Sequence, residues 1–174
     1  MSFATEQELV DRALEHLPIR RWLKMHRDGI LYQRTEVRGL FGIPDLLAVQ
    51  APRPLAKRRT ALNSIAFEMK LSDWRRGLAQ AFRYRSFATF SILVLDNTRT
   101  KSAVANADRF RRANIGLIGL NVDGSYDVYV WPEPEKPFSK RLHAAMAEIV
   151  RTETSATDHS PESDPDPLWA NSAG

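Results

Sequence analysis

Apolar positions along the chain switch repeatedly between helical and strand spacing, and the switches mark out its elements. In "FATEQELVDRALEHLP" Leu9, Val10, Ala13, Leu14 and Leu17 form one apolar stripe, Thr5 and Glu8 are spaced as a capping box, and Pro18 closes the helix. "IRRWLKMHRDG" predicts a second short helix stopped by Gly29. "ILYQRTEV" has strand character, "RGLFG" predicts a turn, and the continuous apolar run of "PDLLAVQ" predicts a central strand. "APRPLAKRRTALN", with two prolines and a basic cluster, predicts a surface loop or hairpin tip, and "SIAFEMK" a third strand. "SDWRRGLAQAFRYRSFATF" returns to helical spacing, with Trp74, Leu78, Ala81, Phe82 and Phe87 roughly on one side and Ser72 or Asp73 as N-cap. Then follow a buried strand "SILVLD", a helix "TKSAVANADRFRRAN", a buried strand "IGLIGLN", an Asp-Gly turn into an edge strand in "VDGSYDVYVW", and a last helix "SKRLHAAMAEIVRT".

This order predicts an α/β fold: a mixed central sheet, antiparallel in its first half and parallel in its second, with helices on both faces. The 174 residues suit one domain, expected over 1–152. The segment 153–174, rich in Ser, Pro and Asp and poor in aliphatics, is expected to be a disordered acidic tail, with Leu168–Trp169 available to dock a protein partner. Residues 151–174 carry one Arg against five acids, a balance of −4, while residues 1–150 carry 24 Lys and Arg against 16 Asp and Glu, a balance of +8. A basic body suits a polyanionic partner such as nucleic acid. The absence of cysteine excludes a disulfide framework, a thiolate zinc site and a cysteine nucleophile. No signal-like N-terminus and no run of ~20 apolar residues is present, so a soluble, cytoplasmic protein with no membrane partner is expected. Gly-x-Ser-x-Gly, P-loop and HExxH patterns are likewise missing.

The chemistry concentrates in "IAFEMKLSDW". On a strand Glu68 and Lys70 share one face while Met69 points the other way. Upstream, Pro44 opens a strand and Asp45 stands at its start, with Gly42 relieving backbone crowding. If the strands pair as a hairpin, Asp45 comes beside Glu68 and Lys70. Two carboxylates at one sheet end are costly unless a cation lies between them, and hard oxygen ligands favour Mg²⁺ or Mn²⁺.

"GIPD" followed 23 residues later by "EMK" resembles the PD-(D/E)XK nuclease superfamily, with its restriction-endonuclease-like fold, over residues 1 to about 120. The resemblance implies that Asp45 and Glu68 hold the metal with the Met69 backbone carbonyl. It implies that Lys70 orients or activates the attacking water and stabilises charge on the phosphate. Gln80 and Tyr84, four apart on the next helix, resemble the Gln-x-x-x-Tyr of the RecB-like and λ-exonuclease-like branch, where it contacts the metal-bound water and the DNA backbone. A first-helix acid, as in Holliday-junction resolvases, could be Glu6, Glu8 or Glu15; "TEQELV" favours Glu6, and Glu8 has its own capping role. His16 and His26 do not align with the branch's histidine. Glu36 is a further candidate acid, and Arg38 in the turn either touches a phosphate or is a plain surface charge.

Arg75, Arg76, Arg83 and Arg85 flank the Gln80–Tyr84 face, Arg20, Arg21 and Lys24 cluster on the second helix, and Lys57, Arg58 and Arg59 tip the loop. Together they offer phosphates a positive surface without sequence specificity. Trp22 and Trp74 could stack on bases, though core packing is the better expectation. The expected activity is metal-dependent hydrolysis of phosphodiester bonds, with DNA favoured over RNA and repair, recombination, restriction or a mobile element as settings. A homodimer is compatible with this. The alternative is a catalytically inactive nuclease-like module that binds nucleic acid or regulates a partner.

Overall fold

Six strands lie side by side in chain order in one mixed sheet: β1 (Ile30–Thr35), β2 (Leu46–Ala51), β3 (Asn63–Lys70), β4 (Phe90–Asp96), β5 (Gly116–Leu120) and β6 (Tyr126–Val130). The computed structural model describes residues 1–25, 29–51 and 62–157. β1, β2 and β3 pair antiparallel, β3, β4 and β5 parallel, and β6 returns antiparallel to β5. The mixed α/β architecture read from the sequence is therefore present, with the change from antiparallel to parallel falling at β3. β4 is buried along its whole length and β3 everywhere but its first residue, as continuous apolar runs in the centre of a sheet require.

Alternation along the strands sends one apolar set to each face. Leu46 and Ala48 of β2, Ile65, Phe67 and Met69 of β3, and Ile92 and Val94 of β4 meet α1 (Glu6–His16) and the single turn α2 (Ile19–Trp22). On the opposite face Leu47, Val49 and Ala66 meet Tyr84 and Phe87, together with Met146 and Val150 of α6 (Lys140–Thr157). Leu93, Leu95 and Leu117 there meet Trp74 and Ala81 of α3 (Trp74–Tyr84) and Phe110 of α5 (Ala107–Ala113). Helices thus cover both faces. Trp74 is 3% exposed and belongs to the core, while Trp22, partly buried, packs against it on Phe67 and Trp131.

The local differences have local causes. Thr5 caps α1 by accepting from Glu8 N–H, but the returning Glu8 carboxylate takes Ala4 N–H, one residue short of a reciprocal box. Leu14, expected on the apolar stripe, is 38% exposed, because the buried face of α1 is the narrower Leu9–Val10–Ala13 strip. Phe82 is 45% exposed and packs on Phe138 instead of the sheet, with Arg85 stacked over the Phe138 ring. The expected second helix ends after one turn, where Lys24 takes a positive φ of 51°. The helix expected across 100–114 is broken into α4 (Lys101–Val104) and α5, preceded by a 3-10 turn (Asn97–Arg99), with Asn106 out of helical conformation between the two helices. Asn and Thr side chains compete for backbone groups and favour such breaks. At the C-terminus α6 runs through Thr157, past the expected boundary at 152, and Glu153 is tied to Arg34 and Tyr32. The remaining tail, with Leu168–Trp169, lies outside the described residues, as does the 57–59 cluster.

Candidate metal centre at the end of the third strand

Pro44 sets up the site. Leu46 pairs with Phe67, so continuing the antiparallel register places Asp45 opposite Glu68 and Pro44 opposite Met69. Proline has no N–H, so the ladder cannot supply a donor to the Met69 carbonyl. The Asp45 carboxylate takes over the ladder's other half: its Oδ2 accepts the Met69 N–H at 2.6 Å. The Met69 carbonyl instead accepts from Lys70 Nζ at 2.8 Å.

Lys70 Nζ is the centre of the cluster. Besides the Met69 carbonyl it lies 2.8 Å from Glu68 Oε1, 3.2 Å from Glu6 Oε2 and 4.0 Å from Asp45 Oδ2. Glu6 reaches it from the first turn of α1, around the end of the sheet from the opposite face. Of the three first-helix candidates, Glu6 is therefore the acid at this place. Glu8 caps, and Glu15 pairs with Arg12 and His16. Three carboxylates around one ammonium leave an excess of negative charge. Glu68 is fully buried and Lys70 only 9% exposed, so that excess is held where water screens it poorly.

The electrostatics follow. Burial pushes the Asp45 carboxyl up to about 6, and the charges of Glu68 and Glu6 add to this against the Met69 N–H bond and Lys70. Burial alone would depress Lys70. Its contact with Glu68 and the charges of Asp45 and Glu6 outweigh that, leaving it raised above the ordinary lysine value. Lys70 is held as an ammonium.

α3 closes the site from above. Gly77 lies over Lys70, and a Cβ there would stand 3.1 Å from Lys70 Cγ and 2.5 Å from Leu93 Cδ1. Tyr84, two turns on, is 1% exposed, and its hydroxyl is hydrogen-bonded to Glu68 Oε2 and donates to the Ile43 carbonyl at 2.9 Å. One hydroxyl hydrogen serves two acceptors. Burial, then the Glu68 contact, raises its pKa well above the usual phenol range. Tyr84 is accordingly not open to a nucleic-acid backbone, and its expected role there is replaced by holding Glu68. Gln80 sits half-buried between Gly77 and Tyr84, and its Oε1 has no hydrogen-bond partner among the described residues. Removing the hydroxyl by Tyr84→Phe should destabilise the fold by about 1–3 kcal/mol in urea titration, since a buried carboxylate oxygen loses its donor.

The basic residues divide. Arg76 and Arg83 are exposed on α3 beside the site. Arg85 is turned away to Glu135 and the Ala113 carbonyl. Arg38 is exposed but lines a groove with Ile149 and Glu153 of α6, apart from the carboxylates, and so does not join them. Glu36 lines the same groove. Asp96, a buried acid at the end of β4, is engaged by Phe3 N–H, Thr98 N–H and the Thr98 hydroxyl, and anchors the N-terminal segment. Sequence reasoning gave no role to Gly77 or to the Ile43 carbonyl. A lone glycine inside a helix right after the Glu–Met–Lys strand was the available signal for the first, and nothing marks a carbonyl for the second.

Among the described residues no three His, Asp or Glu side chains stand, as placed, in a group able to hold a metal ion, the ammonium of Lys70 lying between the carboxylates. The donors nevertheless fit a hard cation in kind. Glu68 Oε1 is buried and lies 2.8 Å from Nζ, but accepts no hydrogen bond among the described residues. The Met69 carbonyl has no ladder partner, and the remaining oxygens are carboxylates. No helix among the described residues is long and apolar enough to cross a membrane. No family model, no curated protein and no solved structure matches this chain.

Proposed function

We propose that the protein hydrolyses phosphodiester bonds in nucleic acid, most readily DNA, with Mg²⁺ or Mn²⁺ held by Asp45, Glu68 and the Met69 carbonyl and with Glu6 at the edge of the site. The observation that carries this reading is the convergence of three carboxylates and an unladdered carbonyl on one buried ammonium at a sheet end. The element order, a helix, three antiparallel strands, a helix and a parallel strand, agrees with the restriction-endonuclease-like core that the PD-(D/E)XK resemblance implies. The cation would supply Lewis acidity toward a phosphoryl oxygen and a more acidic water. Asp45 is pre-aimed by the Met69 N–H and Glu68 by Tyr84, so both carboxylates are oriented before any ligand arrives. Lys70, held as an ammonium, offers positive charge to the phosphate as its negative charge grows. A raised lysine is poorly suited to remove a proton, so its contribution is charge and orientation of water. Exposed Arg76 and Arg83 flank the approach for the phosphate backbone.

The test is cleavage of single-stranded, duplex and branched DNA and of RNA with Mn²⁺ or Mg²⁺, wild type beside Glu68→Gln. Cutting by wild type that the variant and chelator both abolish is expected. Retained binding with no cutting on any substrate would overturn the hydrolase and leave the non-catalytic nucleic-acid module.

A further inference from the structure

The turn ahead of Asp45 presents two large apolar side chains to solvent. Phe41 is 56% exposed and Ile43 48% exposed, with Gly42 between them. Their outward direction is built in. Gly42 has φ +93°, a conformation that favours glycine, and lies against the Tyr84 ring, where a Cβ would come within 2.9 Å of Cε1. Ile43 is fixed from the same side, its carbonyl accepting from the Tyr84 hydroxyl that also holds Glu68. The backbone of the turn faces inward on Tyr84, and the flanking side chains face outward. The turn is thus coupled directly to a candidate ligand.

We propose that Phe41 and Ile43 form an apolar wedge that packs against unpaired bases beside the bond to be cut, so that the favoured substrate is single-stranded or locally unpaired nucleic acid. The inference rests on the hydrolase reading of the site and names its substrate class. Four residues of chain reach at most ~14 Å, so Phe41 lies within about four nucleotide steps of Asp45. Charge complementarity favours this occupant. α3, which carries Tyr84 beneath the turn, exposes Arg75, Arg76 and Arg83 and contains no acidic residue. A basic helix beside an exposed aromatic is the combination that single strands use: phosphates on the cations, base faces on the ring. In a continuous duplex the base faces are stacked away, and a convex apolar turn finds no surface to cover.

Binding is measured in EDTA by fluorescence anisotropy on a labelled single strand and on the matching blunt duplex, for wild type, Phe41→Ala, Ile43→Ala and Phe41→Trp. Phe41→Ala is expected to weaken the single strand about tenfold and the duplex by under about twofold, as loss of one stacked base implies. Phe41→Trp should restore affinity, with its indole emission quenched by the single strand. Equal loss on both substrates, or none on the single strand, overturns the wedge. So does Phe41→Ala that changes only the sedimentation coefficient, which would assign the patch to a second copy of the chain. Phe41-dependent preference in a protein that cuts nothing overturns the hydrolase and keeps the wedge. Cutting with no effect of Phe41 does the reverse, and absence of binding to either strand form overturns the wedge.

Discussion

Replacing Lys70 by methionine should abolish cleavage and, at the same time, tighten Mn²⁺ binding. The two effects have one cause. The ammonium stands 2.8–4.0 Å from the very oxygens that a cation would use. A cation entering wild type meets a like charge, and at 4 Å and an effective dielectric constant near 20 that repulsion is about 4 kcal/mol per unit of the cation's charge, about 8 kcal/mol for a divalent ion. Relaxation of the lysine reduces it, so calorimetry should show Mn²⁺ bound tighter by about tenfold or more, each tenfold corresponding to about 1.4 kcal/mol. Without metal the variant should lose about 3–5 kcal/mol of stability, because the buried Glu68 carboxylate is left without its compensating charge. Saturating Mn²⁺ should return much of that loss by mass action. The combination separates the readings. A structural ion pair predicts the destabilisation but no gain in metal affinity, and unchanged or weaker Mn²⁺ binding by the methionine variant would remove the cation site altogether.

The sequence carried the sheet and the meeting of Asp45 with the Glu68–Lys70 strand, because both follow from alternation and register, which are local and periodic. An apolar run beginning "PD" and another ending "EMK" need only one hairpin to meet, and the pairing of Leu46 with Phe67 is that hairpin. What stayed hidden depends on the third dimension. The stripe containing Phe82 is helical in spacing, yet which edge of it is covered depends on where α3 sits over the sheet, and Phe82 falls outside. Tyr84, expected from the Gln-x-x-x-Tyr resemblance to reach the DNA backbone, is turned inward by burial onto Glu68 for the same reason. Glu6 shares its helix turn with Glu8. The capping-box spacing already set Glu8 aside in favour of Glu6, but that Glu6 meets Lys70 itself follows from the wrap of α1 around the strand end. The break between α4 and α5 was legible in Asn106 but outweighed by the surrounding helical pattern.

Asp45→Asn should stabilise the metal-free protein at pH 7 and abolish its response to Mn²⁺. The folded Asp45 carboxyl is pushed up to about 6, first by burial, from an ordinary value near 3.8. Between those values the native state holds a proton that the unfolded chain has released, so this group's contribution to stability increases as pH falls from 7 toward 4. Ionised Asp45 is thus a net cost at neutral pH, of about 2 kcal/mol when its partial exposure is allowed for. Asparagine keeps an oxygen for the Met69 N–H and carries no charge. Urea titrations should therefore show the variant ahead of wild type at pH 7 and level with it near pH 4. Mn²⁺ reverses the order, since the cation needs the ionised form: it should raise the melting temperature of wild type at pH 7.5, little at pH 5, and hardly at all in the variant at either. A variant less stable than wild type at pH 7, with an undiminished Mn²⁺ response, would mean that Asp45 is a backbone clamp for Met69 and not a ligand. The unladdered carbonyl opposite Pro44 would then serve Lys70 alone.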